Sequence, residues 1–95
     1  MTTTAPSVDL RLPQVLKMAV GTDRIAARGS TIPEALRSAF VQVPGLERHL
    51  LLDSGELRPH VLCVVNGECL LRAQVAGFVL HDGDEILIHQ AISGG

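Results

Sequence analysis

Apolar and polar residues alternate over Val8–Leu12, with Val8, Leu10 and Leu12 set against Asp9 and Arg11. A period of two predicts a half-buried β-strand. Pro13 ends that run, because proline has no N–H to give to a ladder. After the Gly21-Thr22 turn, Asp23–Arg28 predicts a shorter second strand. The two read as a β-hairpin closed by a loop that the pattern does not place. The period then changes. Ile32, Leu36, Phe40 and Val43, with Ala35 and Ala39, recur at helical spacing. Thr31-Ile32-Pro33-Glu34 opens this helix as a capping box: the Thr31 hydroxyl accepts from the third helical amide while Glu34 reaches back. Pro33 is tolerated in the first turn, where its missing N–H had no partner. Pro44-Gly45 stops the helix.

Leu46–Pro59 reads as a connection with apolar residues of its own: Leu46, Leu50, Leu51 and Leu52 predict a short packed turn before an Asp53-Ser54-Gly55 bend. Val61–Val65 is a strand apolar on both faces. Asn66-Gly67 then signals a hairpin, since both residues accept positive φ. A short strand falls in Glu68–Arg72, and His81-Asp82-Gly83-Asp84 makes a turn. Ile86-Leu87-Ile88 is the final strand, and Gln90–Gly95 trails away from it. Strand, strand, helix, strand, short strand, strand predicts an α+β fold. One main helix covers one face of a mixed sheet and leaves the other to solvent or a partner. A chain of 95 residues suits a single domain over 1–95. Its expected flexible ends are an N-terminus of about six residues and a tail over about residues 90–95.

Composition narrows the functions available. The hydrophobic fraction of 46% suffices for a core. Phe40 and Phe78 are the only aromatic residues, which argues against base stacking and aromatic cages. The net charge is -2 with no basic run, so nucleic acid and anionic membranes are poor partners. The first residues lack a basic region leading into an apolar run, and no apolar stretch nears the ~20 residues that span a bilayer. The expectation is a soluble, cytoplasmic protein.

Side chains suited to chemistry are few. Cys63 alternates with Val61 and Val65, predicting a buried thiol, while Cys69 follows the hairpin turn towards solvent. Neither has a base or cation beside it in the sequence to form a thiolate, so both read as inert. His49, His60, His81 and His89 lack metal-ligand spacing, and no metal site is expected. Asp82, Asp84 and Glu85 flank Gly83, as in a turn whose carboxylates bond local backbone amides. They also give an acidic rim that a basic partner would meet.

Taken in order, Gly29-Ser30-Thr31, Pro44-Gly45-Leu46, Val65-Asn66-Gly67-Glu68, Gly83-Asp84-Glu85-Ile86 and the final Gly94-Gly95 form a pattern over nearly the whole chain. It resembles the sulfur-carrier branch of the ubiquitin-like superfamily: ThiS, the small subunit of molybdopterin synthase (MoaD), and the sulfur carrier of an actinobacterial cysteine pathway. The connection through Leu50, Asp53, Gly55, Leu57 and His60 is more like the latter two. Gln90 stands where the family often has Pro.

The resemblance implies a β-grasp fold and a protein that is a co-substrate, not an enzyme. An E1-like adenylyltransferase/sulfurtransferase would consume ATP to adenylate the Gly95 carboxylate, and sulfur would then replace the adenylate as a thiocarboxylate. A synthase subunit or other accepting enzyme would take the sulfur. No cofactor is expected on the chain itself. Glycine suits such a tail, since without Cβ two of them thread a narrow slot. Gly94 gives slack, and Ser93 is placed with the residues that meet a partner. If Val61, Cys63 and Val65 face the helix, Leu62 and Val64 point to the open face, with Leu87 beside them, and together they read as a docking patch. The same activated tail also suits a modifier joined to target lysines, and a β-grasp interaction domain with an incidental tail is a third possibility.

Overall fold

The computed structural model describes residues 5–90. Strand β1 (Ser7–Arg11) pairs antiparallel with β2 (Arg24–Arg28), in a register that sets Val8 against Ala27 and Leu10 against Ile25. The main helix, α2 (Ile32–Gln42), follows, with a shorter α1 (Gln14–Val20) between the first two strands. Beyond α2 come α3 (Leu46–Leu50), β3 (Val61–Val65), β4 (Glu68–Cys69), α4 (Arg72–Val75) and β5 (Glu85–Gln90). The five strands form one mixed sheet in the order β2-β1-β5-β3-β4. Among the described residues only β1 and β5 run parallel, with Leu10 beside Ile86 and Arg11 beside Leu87. This is the expected β-grasp arrangement.

Alternation along the strands builds the core. Val8, Leu10, Ile25, Ala27, Val61, Cys63, Val65, Ile86 and Ile88 are buried beneath Ile32, Ala35, Leu36 and Ala39 of α2. The α2 N-terminus forms nearly as its sequence dictates. The Thr31 hydroxyl accepts from Glu34 N–H at 3.4 Å. Glu34 reaches back one residue further than a reciprocal box requires, accepting from Ser30 N–H at 2.9 Å. At the β3–β4 turn, Asn66 and Gly67 both have positive φ, 51° and 87°.

Two helices lie where the pattern predicts none. The loop of the first hairpin is α1, which buries only Leu16 and so shows no apolar stripe. Its punctuation was nevertheless present: Pro13 stands at the N-cap, and Gly21 closes the helix at φ 90° with its N–H bonded to Lys17 C=O. The other is α4, one turn long, where Gln74 Oε1 accepts from Leu71 N–H at 2.7 Å. The packed turn after Pro44 is helical as α3, because Leu46 and Leu50 are both fully buried four residues apart. At the other end, β5 continues through Gln90, paired with Val61, so Gln90 belongs to the sheet and not to the expected tail of residues 90–95. Of the expected flexible N-terminus, Ala5 and Pro6 are described, and Pro6 C=O accepts from Gly29 N–H at 3.1 Å; residues 1–4 and 91–95 lie outside the described residues.

Gly29 sits where β2 turns into α2 and the two backbones come too close for a side chain. A Cβ there would press on the Glu34–Ala35 backbone. Gly77 meets nothing within 4 Å. Gly29→Ala is therefore expected to cost about 1–3 kcal/mol by overpacking, whereas Gly77→Ala is expected to leave stability nearly unchanged; urea unfolding of the two variants checks both.

Candidate functional site

The sheet has one covered face and one open face, and the register distributes the chemistry of the open one. Arg11 lies beside both Arg24 and Leu87, Leu87 opposite Val64, and Val64 opposite Cys69. One rung therefore runs from two arginines to three apolar or weakly polar side chains. On the β1–β2 half, Arg24 Nε donates to both Asp9 carboxylate oxygens at 3.1 and 3.0 Å. Arg11 pairs with Glu85 at 3.1 Å. These exposed pairs contribute little to stability but keep that half polar. On the β3–β5 half, Leu62 and Val64 are half-buried, and Leu87 is 38% exposed. The expected outward register of these three thus holds, with Val61, Cys63, Val65, Ile86 and Ile88 buried behind them. Leu62 faces His89 on the same surface.

Gln90, paired with Val61 at the edge of this surface, is the last described residue. Gly94 and Gly95, placed at the chemical site from sequence, and Ser93, placed with the residues that meet a partner, lie outside the described residues.

The acidic turn is a structural clamp. Asp84 Oδ2 accepts from His81 N–H at 2.8 Å, and its Oδ1 accepts from the Asn66 side-chain amide at 2.9 Å. The other end of the Asn66 amide accepts from Glu85 N–H at 2.9 Å. Asn66 thus ties the β3–β4 turn to the start of β5. These donors, Asn66 first and His81 second, hold the Asp84 carboxyl below its ordinary range. A depressed carboxyl stabilises the fold above its unfolded pKa, and that contribution fades as pH falls through the folded value. Asp82 differs from the expectation of purely local bonding: it accepts from Ser7 N–H, 75 residues away, at 2.7 Å. Sequence distance hides such a partner.

His60, His81 and His89 are exposed and His49 is half-buried. Among the described residues, no group of three His, Cys, Asp or Glu side chains gathers as a metal site. A groove of about 700 Å³ opens on the opposite, helical side, floored by Leu36, Phe40, Leu51, Leu57 and Val75 with Arg37 and Glu47 at its rim. No described helix is long and apolar enough to cross a membrane.

The two thiols are separated by burial. Cys63 is in the core, and burial, with a smaller contribution from Cys69, pushes its pKa up to about 11. Cys69 is exposed on the open face. At mildly alkaline pH a disulfide reagent should label Cys69 at once and Cys63 only as the protein unfolds, giving one fast and one slow thiol in a spectrophotometric titration.

A family model described as the ThiS family matches residues 10–95. Small archaeal modifier protein 3 of Haloferax volcanii is 30% identical over an alignment of 91 residues that covers 93% of this chain and 98% of that one. Among solved structures, SAMP1 of Haloferax volcanii superposes with a TM-score of 0.80 at 27% identity, over 94% of this chain and 99% of that one. A chain of the Amycolatopsis orientalis BexX/CysO complex shares the fold, with a TM-score of 0.78 at 24% identity over 93% and 99% of the two chains. With the mixed sheet, the helix that it grasps and the match running through the last glycine, this chain belongs to the ThiS family of small ubiquitin-like sulfur carriers and modifiers.

Proposed function

We propose that this protein is a sulfur carrier whose reacting group is the Gly95 carboxylate. The observation that carries the reading is the family match over residues 10–95, which extends through Gly94-Gly95. Small carriers of this family are generally not catalysts, so the chemistry belongs to partners. The carboxylate attacks the α-phosphorus of ATP on an E1-like enzyme, and pyrophosphate leaves. Sulfide from the sulfur donor then attacks the acyl carbon and displaces AMP, and the resulting thiocarboxylate delivers its sulfur to an accepting enzyme or synthase subunit, restoring the Gly95 carboxylate on hydrolysis. Gly94 and Gly95 bring no side chain into the slot, and Ser93 enters its mouth. The carrier works in the cytoplasm, where ATP is available.

Leu62, Val64 and Leu87 form the docking patch for these enzymes. Three apolar side chains on an otherwise charged sheet face favour a protein partner over water. A second reading, an amide-forming modifier, is favoured by the 30% identity to a protein named as a modifier. It uses the same adenylate but replaces AMP with a lysine amine.

Intact-mass spectrometry decides between them. Incubation with the activating enzyme, ATP and a sulfur donor should add the mass of one sulfur-for-oxygen exchange at Gly95. Adducts on protein lysines without any thiocarboxylate would support the modifier reading. Deleting Gly94 and Gly95 should leave the melting temperature unchanged, since both lie beyond the last core strand. It should abolish sulfur loading, because the acyl carbon falls roughly 7 Å short of its slot, and ~1 Å already costs on the order of a hundredfold in rate. A truncated chain that still carries sulfur would overturn the proposal.

Leu62→Asp combined with Leu87→Asp should preserve the fold, because both side chains point away from the core, while weakening binding to the activating enzyme by at least about tenfold. Calorimetric titration, beside a circular dichroism melt, measures the two effects separately.

A further inference from the structure

The connection between β1 and β2 places apolar surface where the tail departs. β1 and β5 are parallel neighbours, and Arg11 stands level with Leu87. Gln14, the first residue of α1, lies three residues beyond Arg11, just as Gln90 lies three beyond Leu87. Helix α1 thus begins at the end of the sheet from which the tail leaves. Leu16 anchors it in the core. Lys17 is drawn to Asp23 at 3.8 Å, across the turn that follows the helix. Val15 and Met18, one helical turn apart, remain 58% and 78% exposed. Neither helps hold the helix to the core, and both are costly to leave in water.

We infer that this face of α1 is a second docking surface, and that its occupant is the enzyme that adenylates the tail. The inference rests on the carrier reading above and names a contact that reading does not require. Its basis is reach. Five residues separate Gln90 from Gly95, and a fully extended chain covers at most about 3.5 Å per residue, roughly 17 Å in all. An adenylating site must enclose both the acyl carbon and a nucleotide, so its walls stand within that distance of Gln90. The elements flanking the tail root are therefore pressed against the enzyme, and α1 is one of them. Met18 suits such a contact, because its unbranched thioether adapts to an irregular apolar surface. Val79 is comparably exposed, at 61%, but its bridge to Thr31 puts it at the opposite end of the strands, beside the start of β1. It lies outside the footprint.

The test is ATP–pyrophosphate exchange catalysed by the activating enzyme, with the full-length carrier as the varied substrate. Val15→Glu combined with Met18→Glu is expected to raise KM for the carrier at least about tenfold and leave kcat nearly unchanged, because the contact is remote from the reacting atoms. Val79→Glu should behave as wild type. If the double variant melts early, Met18→Ala, which favours the helix, should still raise KM about threefold, in keeping with the partial loss of one apolar contact. Wild-type KM in both α1 variants would overturn the inference and leave the carrier reading standing. Absence of exchange with the wild-type chain would instead overturn the carrier reading, and this inference with it.

Discussion

The parallel pairing of β1 with β5 is the contact on which the rest of the molecule depends. It joins the first and last strands at the centre of the sheet, so neither hairpin is complete without the other. Leu10 and Ile86 lie side by side in that pair and are both fully buried. Parallel neighbours need a crossover, and here most of the chain serves as one, carrying α2 over the covered face. The same pairing sends the ends of β1 and β5 in one direction. That is why α1 and the tail root share an end of the molecule.

Strand edges are managed by side chains. The outer edge of β2 is capped where its backbone would otherwise invite another strand. Ser38 Oγ accepts from Arg28 N–H at 3.1 Å, and Gln42 donates to Ala26 C=O at 2.7 Å. Both come from α2, so the helix that covers the sheet also closes its edge. The open face of the sheet is itself divided. Its β1–β2 half holds ion pairs that keep it hydrated, while its β3–β5 half presents Leu62, Val64 and Leu87. Such a division suits the proposed carrier role, in which the protein would meet several enzymes in turn.

Stability and the proposed chemistry are separated along the chain. The core ends with β5, and the Asn66–Asp84–Glu85 clamp fixes the start of that strand rather than its exit. The buried thiol of Cys63 lies on the covered face of β3, behind the Leu62–Val64 side of the open-face patch.

Local rules determined much of this protein from the sequence alone. A period of two placed β1, and apolar runs beside turn signals placed β3 and β5; Leu62, Val64 and Leu87 turn outward because alternate Cβ atoms must point to opposite faces. Thr31 and Glu34 marked the start of α2, and Asn66-Gly67 marked its hairpin, because caps and positive-φ turns are satisfied within a few residues. The order of Gly, Asn-Gly and Gly-Asp-Glu motifs led to the family and to the two terminal glycines. Tertiary structure decided the remainder. Helices α1 and α4 each bury a single residue, Leu16 and Val75, too little to print a period on the sequence. The hydrogen bond from Ser7 to Asp82 and the rung from Arg24 to Cys69 join residues far apart in the chain. The exposure of Val15 and Met18 is of the same kind. An apolar residue in a connection reads as core or surface alike until the fold shows which neighbours it has.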